Sequence, residues 1–133
     1  MPIIKENLVV GVVGPCSAGK STLVAGMKKR GIEIKAIAQE HSYVKDMWRQ
    51  LTNPDILIFL QVSYPVAQER RKLNWGIKEY ETQLHRLRDA RQHADFYINT
   101  DTLTPEDILN EVLEFIKDMS EKMRDFHISN DSH

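Results

Sequence analysis

Gly14-Pro15-Cys16-Ser17-Ala18-Gly19-Lys20-Ser21 is the stretch whose reading decides the fold. It has the form Gly, four residues, Gly-Lys-Ser. Two glycines let a backbone wrap tightly enough for successive N–H groups to face one concavity. Lys20 adds a cation and Ser21 a hydroxyl. Working outward, Asn7-Leu8-Val9-Val10-Gly11-Val12-Val13 reads as a buried strand, and the residues from Lys20 to about Arg30 read as a helix closed by Gly31. A strand, a tight glycine loop and a helix N-terminus together make a site for phosphate.

This is the spacing of the P-loop, or Walker A, motif. The expected binding set is the backbone and side chains of Gly14, Pro15, Cys16, Ser17, Ala18, Gly19, Lys20, Ser21 and Thr22. Lys20 is placed on the β/γ phosphates of ATP or another NTP, and Ser21 on the Mg²⁺ that bridges them. Cys16 reads as a small side chain at a variable loop position, or as a thiol made acidic by the helix N-terminus.

The chain has 133 residues, 41% hydrophobic and 28% charged, with net charge −1. One soluble domain follows. The charge gives no general attraction for nucleic acid or an anionic membrane, and neither is expected as a partner. No stretch is apolar enough for a transmembrane helix. Met1 to Asn7 lacks the layout of a signal peptide, and a single cysteine cannot form an internal disulfide, so a cytoplasmic protein is expected.

Further along, residues 32–38 alternate and read as a second strand, with Gln39, Glu40, His41 and Ser42 after it. Residues 44–51 read as a short helix with Met47, Trp48 and Leu51 on its apolar side, ended by the turn Thr52-Asn53-Pro54. Residues 56–60 are the most apolar run and read as a central parallel strand. Ser63 caps a helix with Pro65 in its first turn, Asn74-Trp75-Gly76 breaks it, and residues 77–93 read as one long helix. Residues 95–99 are the last strand. Thr104 and Pro105 start a final helix with Ile108, Leu109, Val112, Leu113 and Ile116 buried, and fraying is expected from Ser129. The fold class is therefore α/β with a mostly parallel, four-stranded sheet in a three-layer sandwich. The expected organisation is one nucleotide-binding domain over 1–119, with a lid-like helix over 77–93, and a helix extension and tail over 120–133.

In such a sheet, right-handed crossovers put the C-terminal ends of all strands at one edge. Glu40 follows the second strand and so shares the loop's edge. It is the expected acid for orienting Mg²⁺, water or an acceptor hydroxyl, and a candidate catalytic and metal residue with Lys20 and Ser21. Asp55 precedes its strand and lies roughly 15–20 Å away at about 3.3 Å per residue. Asn99 and Thr100 end the last strand at the correct edge and are candidates for contacting the base. On a wheel of about 100° per residue with Ile77 at zero, Leu84, Arg88 and Arg91 all fall within about 40° and Arg86 points away. Arg88 and Arg91 are thus candidates for binding phosphate oxygens, or for snorkelling or pairing with acids. Arg70 and Arg71 read as base or phosphate contacts, or as a solvated helix end.

These segments resemble the P-loop kinase superfamily, in particular its nucleoside-monophosphate-kinase and dephospho-coenzyme-A-kinase-like group. The resemblance rests on residues 14–22, on Ile56 to Arg71, on Arg86-Leu87-Arg88-Asp89-Ala90-Arg91, and on Ala94 to Asp101. It implies that the second segment runs into a lid, that the third carries lid arginines and that the last precedes an adenine-contacting loop. Departures are a count of four strands where the family usually has five, no room for an acceptor-binding insertion in residues 39–54, and no strand ending in the Walker B Asp. The expectation is an Mg-ATP-dependent phosphotransferase for a small molecule or nucleotide. The alternative is a regulatory nucleotide-binding module or degenerate kinase. The open sheet edge favours a homodimer. Neither Asn-Lys-x-Asp nor Asp-x-x-Gly is present, which argues against a GTPase switch.

Overall fold

A computed structural model describes residues 8–71 and 76–131, with side chains as far as residue 122. The elements are β1 (Val10–Val13), α1 (Lys20–Lys29), β2 (Lys35–Ala36), α2 (Met47–Leu51), β3 (Ile56–Gln61), α3 (Tyr64–Arg71), α4 (Ile77–Arg86), α5 (Arg88–His93), β4 (Phe96–Asn99) and α6 (Pro105–Asp131). The sheet has four strands in the order β2-β1-β3-β4, and every pair is parallel. After β1 the chain crosses to one side for β2 and to the other for β3. The crevice between the ends of β1 and β3 is therefore the switch point at which ligands bind in open sheets of this kind.

The apolar run of β3 sorts by parity. Ile56, Ile58 and Leu60 pack with Val10, Val12, Leu23, Met27, Ile108, Val112 and Ile116. Leu57 and Phe59 join Val13, Ile37, Trp48, Leu87 and Ala90 on the other face. Helices thus cover both faces, which is why this strand is apolar at consecutive positions rather than at alternate ones. Each such large side chain contributes about 1.5–3 kcal/mol on burial.

Several elements differ from the sequence reading. The second strand is only two residues long, and both are exposed. The helix expected over 44–51 begins at Met47, and Val44 and Leu51 are exposed. The long helix expected over 77–93 breaks at Leu87, whose N–H bonds to both Gln83 and Leu84 carbonyls as α4 ends and α5 begins. Ile77, taken as the buried zero of the helical wheel, is 55% exposed, while Tyr80, Gln83 and Leu87 are buried. The final helix continues through Ser129 to Asp131. The break expected at Asn74 and Trp75 lies outside the described residues.

At the start of α6 the cap is reciprocal: Asp107 N–H donates to Thr104 Oγ1, and Thr104 N–H donates to Asp107 Oδ2. The Thr104 backbone and hydroxyl hold the Asp107 carboxyl below its ordinary value. A lowered folded value means that this stabilisation is present above the ordinary carboxylate range and is lost as pH falls through the lowered one. Asp107→Asn should therefore flatten the acid side of the stability curve, measured as urea midpoints from neutral pH to about pH 3. An unchanged slope would deny the cap this role.

Candidate functional site at the end of β1

The loop after Val13 is fixed by the register of β1 on β3, in which Val13 lies opposite Phe59. That register brings Gly14 against the next carbonyl of β3. A Cβ on Gly14 would lie 2.2 Å from the Leu60 oxygen, and its φ of 157° is itself one that L-residues avoid. Ser17 follows at φ 71° and Gly19 at φ 105°, after which α1 begins. No side chain caps α1, and its first turn holds no acid. The positive end of the helix therefore has neither a side-chain cap nor an acid of its own first turn to offset it.

Lys20 folds back over this loop. Its Nζ donates to the Gly14 carbonyl, to Pro15 O at 3.3 Å and to Glu40 Oε2 at 2.8 Å. Both partners of the ion pair are well shielded, with side chains 12% and 5% exposed. The edge rule therefore places Glu40 as expected, beside Lys20. The other carboxylate oxygen, Glu40 Oε1, is buried with no hydrogen-bond partner among the described residues, as is Ser17 Oγ. Ser21 and Thr22 are exposed on the first turn of α1. Asp55 accepts the Val9 N–H at 2.8 Å at the far end of the sheet, away from the loop.

The other arginine candidates lie elsewhere. Arg88 is exposed and donates to the His85 carbonyl of the preceding turn. Arg91 lies over the Tyr97 ring. Arg86, expected in solvent, instead donates to the Glu40 carbonyl at 3.2 Å and covers the Tyr43 ring. The wheel failed because it assumed a continuous helix with the wrong buried face.

Two positions carry weight that sequence did not reveal. Gln83 is buried on α4, accepts the Cys16 N–H through Oε1 at 3.0 Å and donates through Nε2 to Cys16 Sγ at 3.4 Å. Gln39 donates to the Val44 and Arg86 carbonyls and accepts the Trp48 N–H, so it sets the path of the segment that carries Glu40. A lone glutamine among charged residues looks solvated, and only the packed α4 face could have singled it out. Tyr80 on the same face donates to the Val62 carbonyl at 2.6 Å, and burial raises its ionisation above the ordinary value.

On the opposite side of the loop is a cavity of about 310 Å³, lined by Ser17–Gly19, Thr22, Leu23, Arg70, Arg71, Leu103, Pro105 and Ile108. Arg70 spans its edge, donating to Ser17 O at 2.9 Å, to Thr100 Oγ1 at 3.1 Å and to Thr100 O. Thr100 is buried and also donates to the Gln61 carbonyl. Asn99 accepts the Asp101 N–H. These two candidates therefore shape the turn after β4, and the cavity wall comes from the residues just beyond them.

Gly14→Ala should cost about 3 kcal/mol or more, since the clash is with backbone that cannot rotate away; a loss under about 1 kcal/mol in urea unfolding would contradict the register argument. Removing one partner of the shielded ion pair, as in Glu40→Ala, should cost about 3 kcal/mol, with part regained in the Lys20→Ala/Glu40→Ala double variant. Additive losses in that cycle would show no coupling. Compared with models of protein families and with curated protein sequences, the chain matches none.

Proposed function

We propose that the Gly14–Ser21 loop binds the phosphate chain of an Mg-nucleotide, ATP, and that the protein is a phosphotransferase of P-loop kinase type acting on a small molecule or nucleotide. The observation that carries this reading is the uncapped, acid-free N-terminus of α1 behind a glycine loop, with the Lys20 cation at its first turn. Such a terminus favours anions on both dipole and hydrogen-bond grounds. The neighbouring cavity supports a nucleoside portion. Its volume suits a small ligand, its walls at Leu23, Leu103, Pro105 and Ile108 are apolar, and Arg70 and Arg71 bring cations.

In this mechanism Lys20 exchanges the loop carbonyls and Glu40 for phosphate oxygens. Glu40 then orients the acceptor hydroxyl, and Arg86, held at the Glu40 carbonyl, supplies positive charge to the transferring group. Mg²⁺ would be held by the Ser21 hydroxyl and Glu40, and would neutralise phosphate charge when bound. Both are hard oxygen donors, and the unpartnered Glu40 Oε1 suits a cation. One observation favours the regulatory alternative: β3, the neighbour of β1, ends in Gln61 rather than an acid.

Thermal shift with Mg-ATP, followed by a phosphotransfer screen, tests the reading. At about 100 times Kd the nucleotide should stabilise the fold by about 2.7 kcal/mol. Lys20→Ala should abolish the shift. Glu40→Gln should keep it and slow transfer about 100-fold. No shift with any nucleoside di- or triphosphate would overturn nucleotide binding, and a shift without transfer to any acceptor would favour the regulatory module.

A further inference from the structure

We infer that Cys16, Glu40 and His41 form a binding site for a soft divalent cation, Zn²⁺ above all, on the outer side of the loop. This does not rest on nucleotide binding. Cys16 Sγ and His41 Nε2 are 3.7 Å apart, His41 Nε2 and Glu40 Oε2 are 3.8 Å apart, and the three donors all lie within 4.8 Å of one another. A tetrahedral zinc with bonds of about 2.3 Å to sulfur and about 2.0–2.1 Å to nitrogen and oxygen needs donor separations of about 3.4–3.6 Å. Two edges already lie within a few tenths of an ångström of that, and the third, between Cys16 Sγ and the Glu40 carboxylate, is no longer than 4.8 Å, a gap that a small χ1 adjustment at Cys16 closes.

The second observation concerns the carboxylate itself. Glu40 is 4% exposed; its Oε2, the oxygen 3.8 Å from His41 Nε2, meets the Lys20 ammonium, and its Oε1 has no hydrogen-bond partner among the described residues, so the group keeps acceptor capacity for a cation. A buried carboxylate oxygen without a donor is costly, and a cation relieves that cost. Gln83 fixes the Cys16 backbone through Oε1 and donates to Sγ through Nε2, which keeps the sulfur on this side of the loop. Outer hydrogen bonds of this kind orient metal ligands. The His41 side chain is 56% exposed and gives the ion a way in from solvent.

The donor set decides the metal. A thiolate and an imidazole select zinc over magnesium or calcium, which prefer oxygen throughout. On binding, the Cys16 thiol loses its proton to solvent, and the thiolate adds its negative charge to that of the Glu40 carboxylate, which the ion shares with Lys20. Three protein ligands leave a fourth position open, as in zinc sites that exchange water or an anion.

The test uses the full chain without nucleotide. Zinc chloride titrated against a chromophoric chelator should show one bound ion per chain, and Co²⁺ should give a near-ultraviolet thiolate-to-metal band. Cys16→Ser should remove that band and weaken zinc binding at least 10-fold, and His41→Ala should weaken binding by a similar factor. His93→Ala, which alters a surface histidine beside Asp89, should leave binding unchanged. The site is refuted if wild-type protein takes up no zinc, if cobalt binds without the thiolate band, or if Cys16→Ser binds zinc as tightly as wild type.

Discussion

The alignment of β1 on β3 is the constraint on which the rest depends. With Val13 opposite Phe59, the chain must leave β1 directly against the Leu60 carbonyl, and only a residue without a side chain can pass. From that one point the loop direction, the start of α1 and the position of Lys20 follow. The same register is enforced by the parity of β3, since a slip of one residue would send Ile56, Ile58 and Leu60 to the opposite face. Core packing and loop geometry are therefore set by a single pairing.

Around Lys20 the structure balances a cation with groups of different kinds. Two loop carbonyls and one carboxylate hold it, and that carboxylate is offered by a segment that Gln39 and Arg86 fasten from behind. Glu40 thus belongs at once to the phosphate-facing chemistry proposed for the loop and to the Cys16–His41 side. Its carboxylate is the common feature, with Oε2 between Lys20 and His41 and Oε1 unpartnered among the described residues. A buried carboxylate so placed gains by meeting a cation, whichever face the cation approaches from.

Much of this was legible in the sequence. The apolar run at 56–60 implied a strand covered on both faces, and the rule that parallel strands point one way separated Glu40 from Asp55. What escaped were contacts without local pattern. Gln83 meets Cys16 across 67 residues, and Arg86 meets Glu40 across 46. No periodicity records such a bond, and an isolated polar residue on a charged helix looks solvated until the packing partner is known. The break at Leu87 escaped for a related reason: residues 77–93 contain neither proline nor glycine to mark it. With the break unseen, the helical phase was carried past its end, and Arg88 and Arg91 were aligned with a stripe that α4 does not bury.

Arg70 has a consequence for how the chain tolerates change. Two of its three contacts, Ser17 O and Thr100 O, are main-chain atoms. At position 17 such a fastening is made without the side chain. The residue at 17 can therefore vary without releasing the loop from the β4–α6 turn, provided its backbone can hold the positive φ. Replacement of the arginine itself would let the two sides of the cavity drift independently. Variation is thus open at the residue that is held and restricted at the residue that holds it.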